Sequence, residues 1–264
     1  MDIPTKNNRK ILVTQALPYA NAPLHLGHIL EAVQTDIWTR FQNLNGNECH
    51  FFCADDTHGT PVMLKANEMG ISPEKLIEDV YQDHKSTYEL YDINFANFYS
   101  THSDENKKYS EFIYKCAKEN KLISKSVVEQ YFDETEKMFL SDRFIKGTCP
   151  KCDAENQHGD NCGVCGASYN VLEIENPVST ISNTKPVKKE SEHIFFDLPA
   201  KRDMLKEFIE KVDIQESIKN KLKEWLGDDL KKWDISRDAP YFGFEIPGED
   251  NKFFYVWVDA PIGY

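Results

Sequence analysis

The sequence predicts an α/β fold built on a parallel sheet and interrupted by an inserted lobe that carries a cysteine cluster. In the first hundred residues, short apolar runs alternate with segments of helical period. Short β-like pieces and four closely spaced cysteines at 149–165 follow. The continuous apolar run Phe253–Val258 is then typical of a strand that is buried on both faces of a parallel sheet. The α/β domain therefore resumes after an insertion.

The first hundred residues alternate strand and helix. Strand candidates are Ile11–Val13 and Cys49–Ala54, and helix candidates span Ile29–Leu44, Thr60–Gly70 and the residues from Ser72 onward. Thr60-Pro61 predicts an N-cap and a first-turn proline, and Ser72-Pro73 repeats this chemistry. Strands and helices of these lengths in alternation predict a parallel sheet.

The pattern changes from about Leu122. Short β-like pieces are predicted at Val127–Phe132 and Met138–Ile145, and helical periodicity returns from Asp203 to Trp233. The predicted domains are therefore 1–117 as the first half of the α/β domain, 118–238 as an insertion with the cysteines at 149–165, and 239–264 as the start of the second half.

Length and composition indicate a folded protein with a substantial core. The chain has 264 residues, of which 40% are hydrophobic and 28% charged. Because it contains neither an apolar N-terminal signal nor about 20 continuous apolar residues, we expect a cytoplasmic protein without a membrane partner. The net charge of −13 opposes long-range attraction of nucleic acid, although a local basic surface could still bind it.

Four of the seven cysteines form two paired knuckles, Cys149-Pro150-Lys151-Cys152 and Cys162-Gly163-Val164-Cys165. Each knuckle places two thiolates on one tight turn, so that four sulfurs can surround a tetrahedral Zn²⁺ ion. Unrelated thiols or a redox pair are the alternatives, but two such units separated by nine residues favour zinc. Four thiolates leave no open coordination position, so we expect one structural zinc.

Two further clusters carry polar chemistry. His25-Leu26-Gly27-His28 precedes a helix, where two imidazoles and helix N-terminal amides could contact a triphosphate, although two solvated histidines are the simpler alternative. Asp55-Asp56 follows the second strand, at an edge where parallel sheets bind ligands. A carboxylate there could hold an ammonium group, or the pair could cap the next helix.

With these residues in hand, the chain resembles the methionyl-tRNA synthetases of the bacterial kind with a single zinc knuckle. The resemblance runs from about Lys10 to Tyr264. The matching segments are Pro18–Asn21 leading to His25–His28, Cys53–Pro61, Trp233–Gly243 and Tyr255–Tyr264.

The resemblance implies a Rossmann-type catalytic domain that is interrupted by a zinc-binding connective insertion. It implies a methionine–tRNA ligase, which activates methionine with ATP and Mg²⁺ to methionyl-adenylate and then transfers methionine to the 3′ end of tRNA(Met). Methionine would contact Leu17, Tyr19, Asp56, Trp257, Ala260, Pro261 and Tyr264. ATP would contact His25, Gly27, His28, Glu31 and Arg237, with His25 and His28 as catalytic groups. The metal ligands would be Cys149, Cys152, Cys162 and Cys165.

The family's Lys-Met-Ser-Lys-Ser loop and its anticodon-binding domain are not found in the sequence, which ends at Tyr264. We therefore expect a truncated chain that is inactive alone, with most tRNA contacts in the absent part. The sequence implies no particular oligomeric state. Two alternatives are a nucleotidyltransferase of the wider His-x-Gly-His group and a non-catalytic zinc-bearing fragment. Methionine binding separates the fragment hypothesis from the synthetase hypothesis.

Overall fold

The computed structural model describes residues 9–227 and 230–264. Its first elements follow the predicted alternation. They are β1 (Lys10–Thr14), α1 (Leu26–Leu44), β2 (Glu48–Asp55), α2 (Thr60–Met69), α3 (Pro73–Leu90), β3 (Asn97–Ser100) and α4 (Asp104–Glu119).

The remaining elements are mostly short strands. They are β4 (Ile123–Asp133), β5 (Met138–Phe139), β6 (Ile145–Thr148), β7 (Gln157–His158), β8 (Glu175–Ser179), β9 (Val187–Phe196), α5 (Arg202–Lys211), α6 (Glu216–Trp225), β10 (Trp233–Asp234), β11 (Ser236–Asp238), β12 (Lys252–Phe254) and α7 (Val256–Ile262). Turns of 3₁₀-helix lie at Asp142–Phe144, Val171–Glu173 and Leu198–Lys201.

The chain divides into two compact units. The first contains the residues up to Cys116 together with Tyr241–Gly248 and Phe253–Tyr264. The second contains Ala117–Pro240 and Glu249–Lys252. The proposed domain boundaries at 117/118 and 238/239 lie close to this division in sequence.

The first unit is built on the predicted parallel sheet, with strand order β1-β2-β3. In the part of this unit that the structure describes, the core includes two apolar clusters. One includes Val62 and Ala66 of α2 packed with Leu76 of α3, and the other includes Phe51 of β2 and Tyr88 of α3. These contacts bury the apolar faces that the helical periods predicted, which confirms the α/β fold class.

The second unit contains two antiparallel sheets, with strand orders β10-β9-β4-β5 and β7-β6-β8. The long pairing of β4 with β9 runs from Ile123 opposite Phe196 to Phe132 opposite Val187. The smaller sheet lies next in sequence to both cysteine knuckles.

The predicted strand over Phe253–Val258 is wrong. Strand β12 ends at Phe254, and α7 begins at Val256, whose backbone N–H donates to the Tyr241 hydroxyl at 3.0 Å. Helix α7 buries Asp259 and Ala260, whereas Trp257 is 58% exposed. A continuous apolar run does not distinguish a buried strand from a short helix.

Three smaller predictions need correction. The piece Met138–Ile145 is interrupted by a 3₁₀ turn, and the helical period predicted up to Trp233 ends at Trp225. Gly59 rather than Thr60 is the N-cap of α2, whereas Ser72 caps α3 as predicted by accepting from the Lys75 N–H. Across the part of the chain described above, no helix combines the length and apolar character needed to cross a membrane.

Candidate functional site

The loops after β1 and β2 are joined at the carboxyl ends of these parallel strands. The Asp56 N–H donates to the Pro18 carbonyl at 2.9 Å, and the Ala20 N–H donates to the Asp56 carbonyl at 2.8 Å. Tyr19 and Asp56 thereby form a parallel bridge. The structure thus brings together two residues that the sequence analysis assigned to one site.

Asp56 carries a buried carboxylate oxygen. Within residues 9–227 and 230–264, its Oδ1 atom has no hydrogen-bond partner. Burial, together with the negative charges of Asp259 and Asp55, raises the pKa of Asp56 to about 8. A buried carboxylate without a partner is costly, so this position favours binding of a cation.

Asp55 has a different role from its neighbour. Its Oδ1 atom lies 2.7 Å from Nδ1 of His84, and both side chains are fully buried. The second ring nitrogen of His84 donates to the Ala22 carbonyl at 2.9 Å. Burial raises the pKa of Asp55 and His84 opposes that shift. Asp55 therefore holds α3 against the site, and neither aspartate caps α2 with its side chain.

His25 and His28 form a stacked pair at the start of α1, with ring centroids 3.7 Å apart. His25 is the N-cap residue, and its Nδ1 atom accepts from the N–H groups of Gly27 and His28 at 3.0 and 3.4 Å. The His25 N–H donates to Nδ1 of His28 at 3.3 Å. Since both Nδ1 atoms accept, the neutral rings carry their protons on Nε2. Burial and then His25 lower the pKa of His28, which favours its neutral form.

This geometry changes the predicted phosphate contacts. Two of the helix N-terminal amides are occupied by His25, so the Nε2–H groups are the donors available to an anion. At Gly27, a Cβ atom would lie 2.8 Å from Cε1 of His25. A side chain at this position would therefore displace the His25 ring from its capping position. Glu31 accepts from the Ala16 N–H at 2.8 Å and so fixes the loop after β1.

Leu17 and Tyr264 line one cavity of about 260 Å³ at the ends of the sheet strands, together with residues such as Cys53 and Tyr99. Burial raises the pKa of Tyr264, and a hydrogen bond from the Leu17 backbone opposes that shift. Leu17 and the side chain of Tyr264 therefore face the same cavity.

The other predicted methionine contacts on α7 differ in exposure. Ala260 is 6% exposed, whereas Pro261 and Trp257 are exposed. Pro261 lies inside the helix, next to the buried alanine in sequence. Of these three residues of α7, Ala260 is therefore buried, whereas Trp257 and Pro261 are accessible to solvent.

The sequence analysis missed a buried chain of polar groups in the same unit. His58 lies between Asp259 of α7 and His102 of the loop after β3. His58 and Asp259 lie in segments that carry the family resemblance, but the resemblance assigned neither residue a role. They lie 201 positions apart in sequence, so no local pattern connects them.

Arg237 lies in the second unit, in a segment that is held by His193. The two ring nitrogens of His193 lie 2.6 Å from Asp234 and 3.0 Å from Asp238. The Arg237 guanidinium donates to the Ser236 carbonyl at 2.6 Å and lies 3.6 Å from Oδ1 of Asp234. Its predicted contact with ATP stays a prediction.

The four knuckle cysteines converge as predicted. Their Sγ atoms all lie within 4.8 Å of one another, with 3.9 Å between Cys149 and Cys165 and 3.7 Å between Cys152 and Cys162. A tetrahedral Zn²⁺ ion with bonds of about 2.3 Å requires sulfur separations of about 3.8 Å. The N–H groups of Cys165 and Val164 donate to Cys162 and lower its pKa, whereas the neighbouring cysteines raise the pKa of Cys152, so Cys162 is the more readily ionised of the two. The cluster therefore fits a tetrahedral metal ion.

Comparisons with known proteins agree with this architecture. A family model described as tRNA synthetases class I (M) matches residues 11–264. Two solved structures of Mycobacterium tuberculosis methionyl-tRNA synthetase with methionyl-adenylate are similar in fold. Their TM-scores are 0.72 and 0.73 at 21% and 20% sequence identity, and the matches cover 97% of this chain. The chain spans 46% of the length of either one.

Proposed function

The chain belongs to the class I tRNA synthetases (M), and we propose that it is the methionine- and ATP-binding part of a methionine–tRNA ligase. In the proposed reaction, the methionine carboxylate attacks the α-phosphate of ATP, which forms methionyl-adenylate and releases pyrophosphate. Transfer of methionine to tRNA(Met) in the cytoplasm completes the proposed activity of the whole protein.

Among the described residues, the buried Oδ1 atom of Asp56 has no hydrogen-bond partner, and this observation carries the proposal. An amino acid brings an ammonium group, which would supply the missing partner and the compensating charge. Tyr19 adjoins Asp56 through the bridge between the two loops, so it would line the same site.

Tyr264 and Leu17 suit the methionine side chain. A thioether offers shape, polarizability and one weak acceptor, so an apolar wall with a single hydroxyl can recognise it. The Tyr264 hydroxyl, which lines the same cavity as Leu17, is such a group. Trp257, Ala260 and Pro261 of α7 would complete the contacts with the thioether chain.

His25 and His28 would bind the ATP phosphates through their Nε2–H groups. Neutral imidazoles can donate to phosphate oxygens as charge shifts toward the leaving pyrophosphate. Gly27 leaves room for the His25 ring that covers it, and Arg237 and Glu31 are proposed as supporting polar groups. Mg²⁺ would enter with ATP as part of the substrate complex.

The cysteine cluster would hold Zn²⁺ as a structural ion. Cys149, Cys152, Cys162 and Cys165 fill four tetrahedral positions, and the measured sulfur separations fit them. The ion would stabilise the knuckles, while the reacting groups belong to the first unit.

Calorimetric titration of the chain with L-methionine, L-leucine and L-homocysteine tests the proposal. We expect methionine to bind more tightly than the other two, because only its side chain matches the proposed pocket in length and polarity. No preference among the three at millimolar concentration contradicts the proposal and supports a non-catalytic zinc-bearing fragment.

A further inference from the structure

A continuous hydrogen-bonded chain links an exposed histidine to a buried carboxylate beside Asp56. The Oδ2 atom of Asp259 lies 2.6 Å from Nδ1 of His58, and Nε2 of His58 lies 2.9 Å from Nδ1 of His102. Asp259 and His58 are fully buried, whereas His102 is exposed. We call these three residues the His58 relay.

Aromatic side chains isolate the middle of the relay. The His58 ring makes edge contacts with Phe242 and Phe244, at centroid distances of 5.5 and 4.5 Å. The His102 ring stacks on the same two phenylalanines at 5.2 and 5.8 Å. Since these apolar rings flank both imidazoles, His102 provides the polar route from His58 to solvent.

The charged groups around the relay are distributed unevenly. Glu74 of α3 and Asp104 and Lys107 of α4 act on His102 at the surface. At the buried end, Asp259 faces His58 and raises the pKa of Asp56, while Asp55 is paired with His84. The Asn106 amide donates to the Asp259 backbone carbonyl at 3.2 Å. Within the described residues, Oδ1 of Asp259 has no hydrogen-bond partner.

We propose that His102, His58 and Asp259 conduct a proton between solvent and the buried carboxylates, and that His58 is a positioning residue whose charge sets the protonation of Asp56. A proton enters at Nε2 of His102, and the proton on its Nδ1 passes to Nε2 of His58. His102 is then neutral again, and His58 is an imidazolium whose Nδ1–H donates to Asp259.

The protonated relay changes the electrostatics around Asp56. An imidazolium beside Asp259 compensates the charge of that carboxylate, so the pKa of Asp56 is lower when His58 is protonated, while a fall in pH still reduces the ionised fraction of Asp56. With a neutral relay, the charge of Asp259 opposes ionisation of Asp56. This consequence deepens the proposed function and rests on it, whereas the relay itself rests on the hydrogen-bond geometry.

A ligand-free NMR titration tests the relay. The ring nitrogens of His58 and His102 and the side-chain carboxyl carbon of Asp56 are followed from about pH 5 to pH 9. We expect both rings to change over one common midpoint and Asp56 to show a step at the same pH, because the proton is shared. A His58 ring that does not respond to pH, or a midpoint independent of His102, overturns the inference.

Two variants separate conduction from packing. His102→Phe keeps an aromatic ring against Phe242 and Phe244 but removes both ring nitrogens and the hydrogen bond to His58, so the step of His58 and Asp56 should move to a different pH. His50→Phe, which replaces an exposed histidine of β2, should leave the step unchanged. An unshifted step in His102→Phe contradicts the relay.

Asp259→Asn provides an independent measurement should His102→Phe fail to fold. Removing this negative charge should lower the midpoint of Asp56 by about one pH unit. An unchanged midpoint contradicts the proposed coupling. Methionine binding in a protein without the common step overturns the relay alone, and a relay in a protein that does not bind methionine overturns the proposed function alone.

Discussion

The hydroxyl of Tyr19 donates a 2.7 Å hydrogen bond to the backbone carbonyl of His58. This bond ties the loop after β1 to the loop after β2, next to the carboxylate of Asp56. The adjacent Gly59 has a φ of +114°, and a Cβ atom there would lie 2.9 Å from the Tyr19 hydroxyl oxygen. Both loops therefore depend on a glycine at this position.

Gly59→Ala should destabilise the first unit by about 1–3 kcal/mol, because alanine rarely adopts this backbone conformation and its methyl group would displace Tyr19. Urea denaturation measures the loss. Gly70→Ala is the matched control, since Gly70 also has a positive φ but its Cβ would meet nothing within 4 Å. Equal losses in the two variants would contradict the steric role of Tyr19.

The second unit should be most stable between about pH 4 and pH 6.5. Burial acts to raise the pKa of Asp238, but hydrogen bonds from His193, Lys252 and Ser191 outweigh burial and lower this pKa to about 2. This stabilisation is complete above the ordinary aspartate pKa and is lost as the pH falls towards 2. Burial acts to lower the pKa of His193, but hydrogen bonds to Asp234 and Asp238 outweigh burial and raise this pKa. That stabilisation is complete below the ordinary histidine pKa and is lost as the pH rises through the raised value.

In His193→Gln, the second unit should no longer lose stability as the pH rises through the histidine pKa. Its stability at pH 6 should be lower by about 3 kcal/mol, because two carboxylates are left without their shared cation. Thermal denaturation at several pH values measures both effects. His158→Gln, an exposed histidine of β7, serves as the control. An unchanged pH profile in His193→Gln would show that the stability of the second unit does not depend on the protonation of His193.

The purified chain should contain about one equivalent of zinc, and Cys152→Ser should lose it. Because metal binding supplies folding free energy locally, the second unit should become susceptible to protease while the first stays folded. Metal analysis and limited proteolysis measure these outcomes, with Cys116→Ser as a control outside the cluster. Zinc well below one equivalent in unchelated protein, or global unfolding of Cys152→Ser, contradicts this prediction.

Asp56→Asn should weaken methionine binding by about 30-fold or more, equivalent to about 2 kcal/mol, because the ammonium group loses its charged partner. Calorimetry with L-methionine measures the change. Asp83→Asn, at an exposed position of α3, should bind like the unchanged chain. Unaltered affinity in Asp56→Asn would place the ammonium group elsewhere.

The parts of the site that follow from local sequence were predictable. Strand β2 ends where its apolar run ends, so Asp56 could be placed at the carboxyl edge of the sheet. The cysteine spacing likewise predicted that the sulfurs of Cys149 and Cys162 lie in one cluster. In each case, a few neighbouring residues determine the geometry.

Contacts that depend on packing between distant segments were not predictable. His84 reaches Asp55 because α3 packs against the sheet, and His58 reaches Asp259 across 201 residues. The apolar run through Trp257 led to the wrong prediction of a strand, because a short buried helix and a buried strand can have similar apolar sequences. Without these contacts, the partners of the buried carboxylates could not be identified.

The pH dependence of methionine binding tests the central claim most directly, because the proposed site requires an ionised Asp56, whose pKa is raised to about 8. Below that pH the ionised fraction decreases, so the affinity for an ammonium ligand should fall with it. Calorimetry of L-methionine at pH 8 and pH 6.5 should show affinity about tenfold lower at the acidic value, and Asp56→Asn should show no such change. Equal affinities of the unchanged chain at the two pH values would contradict the assignment of Asp56 as the ammonium site.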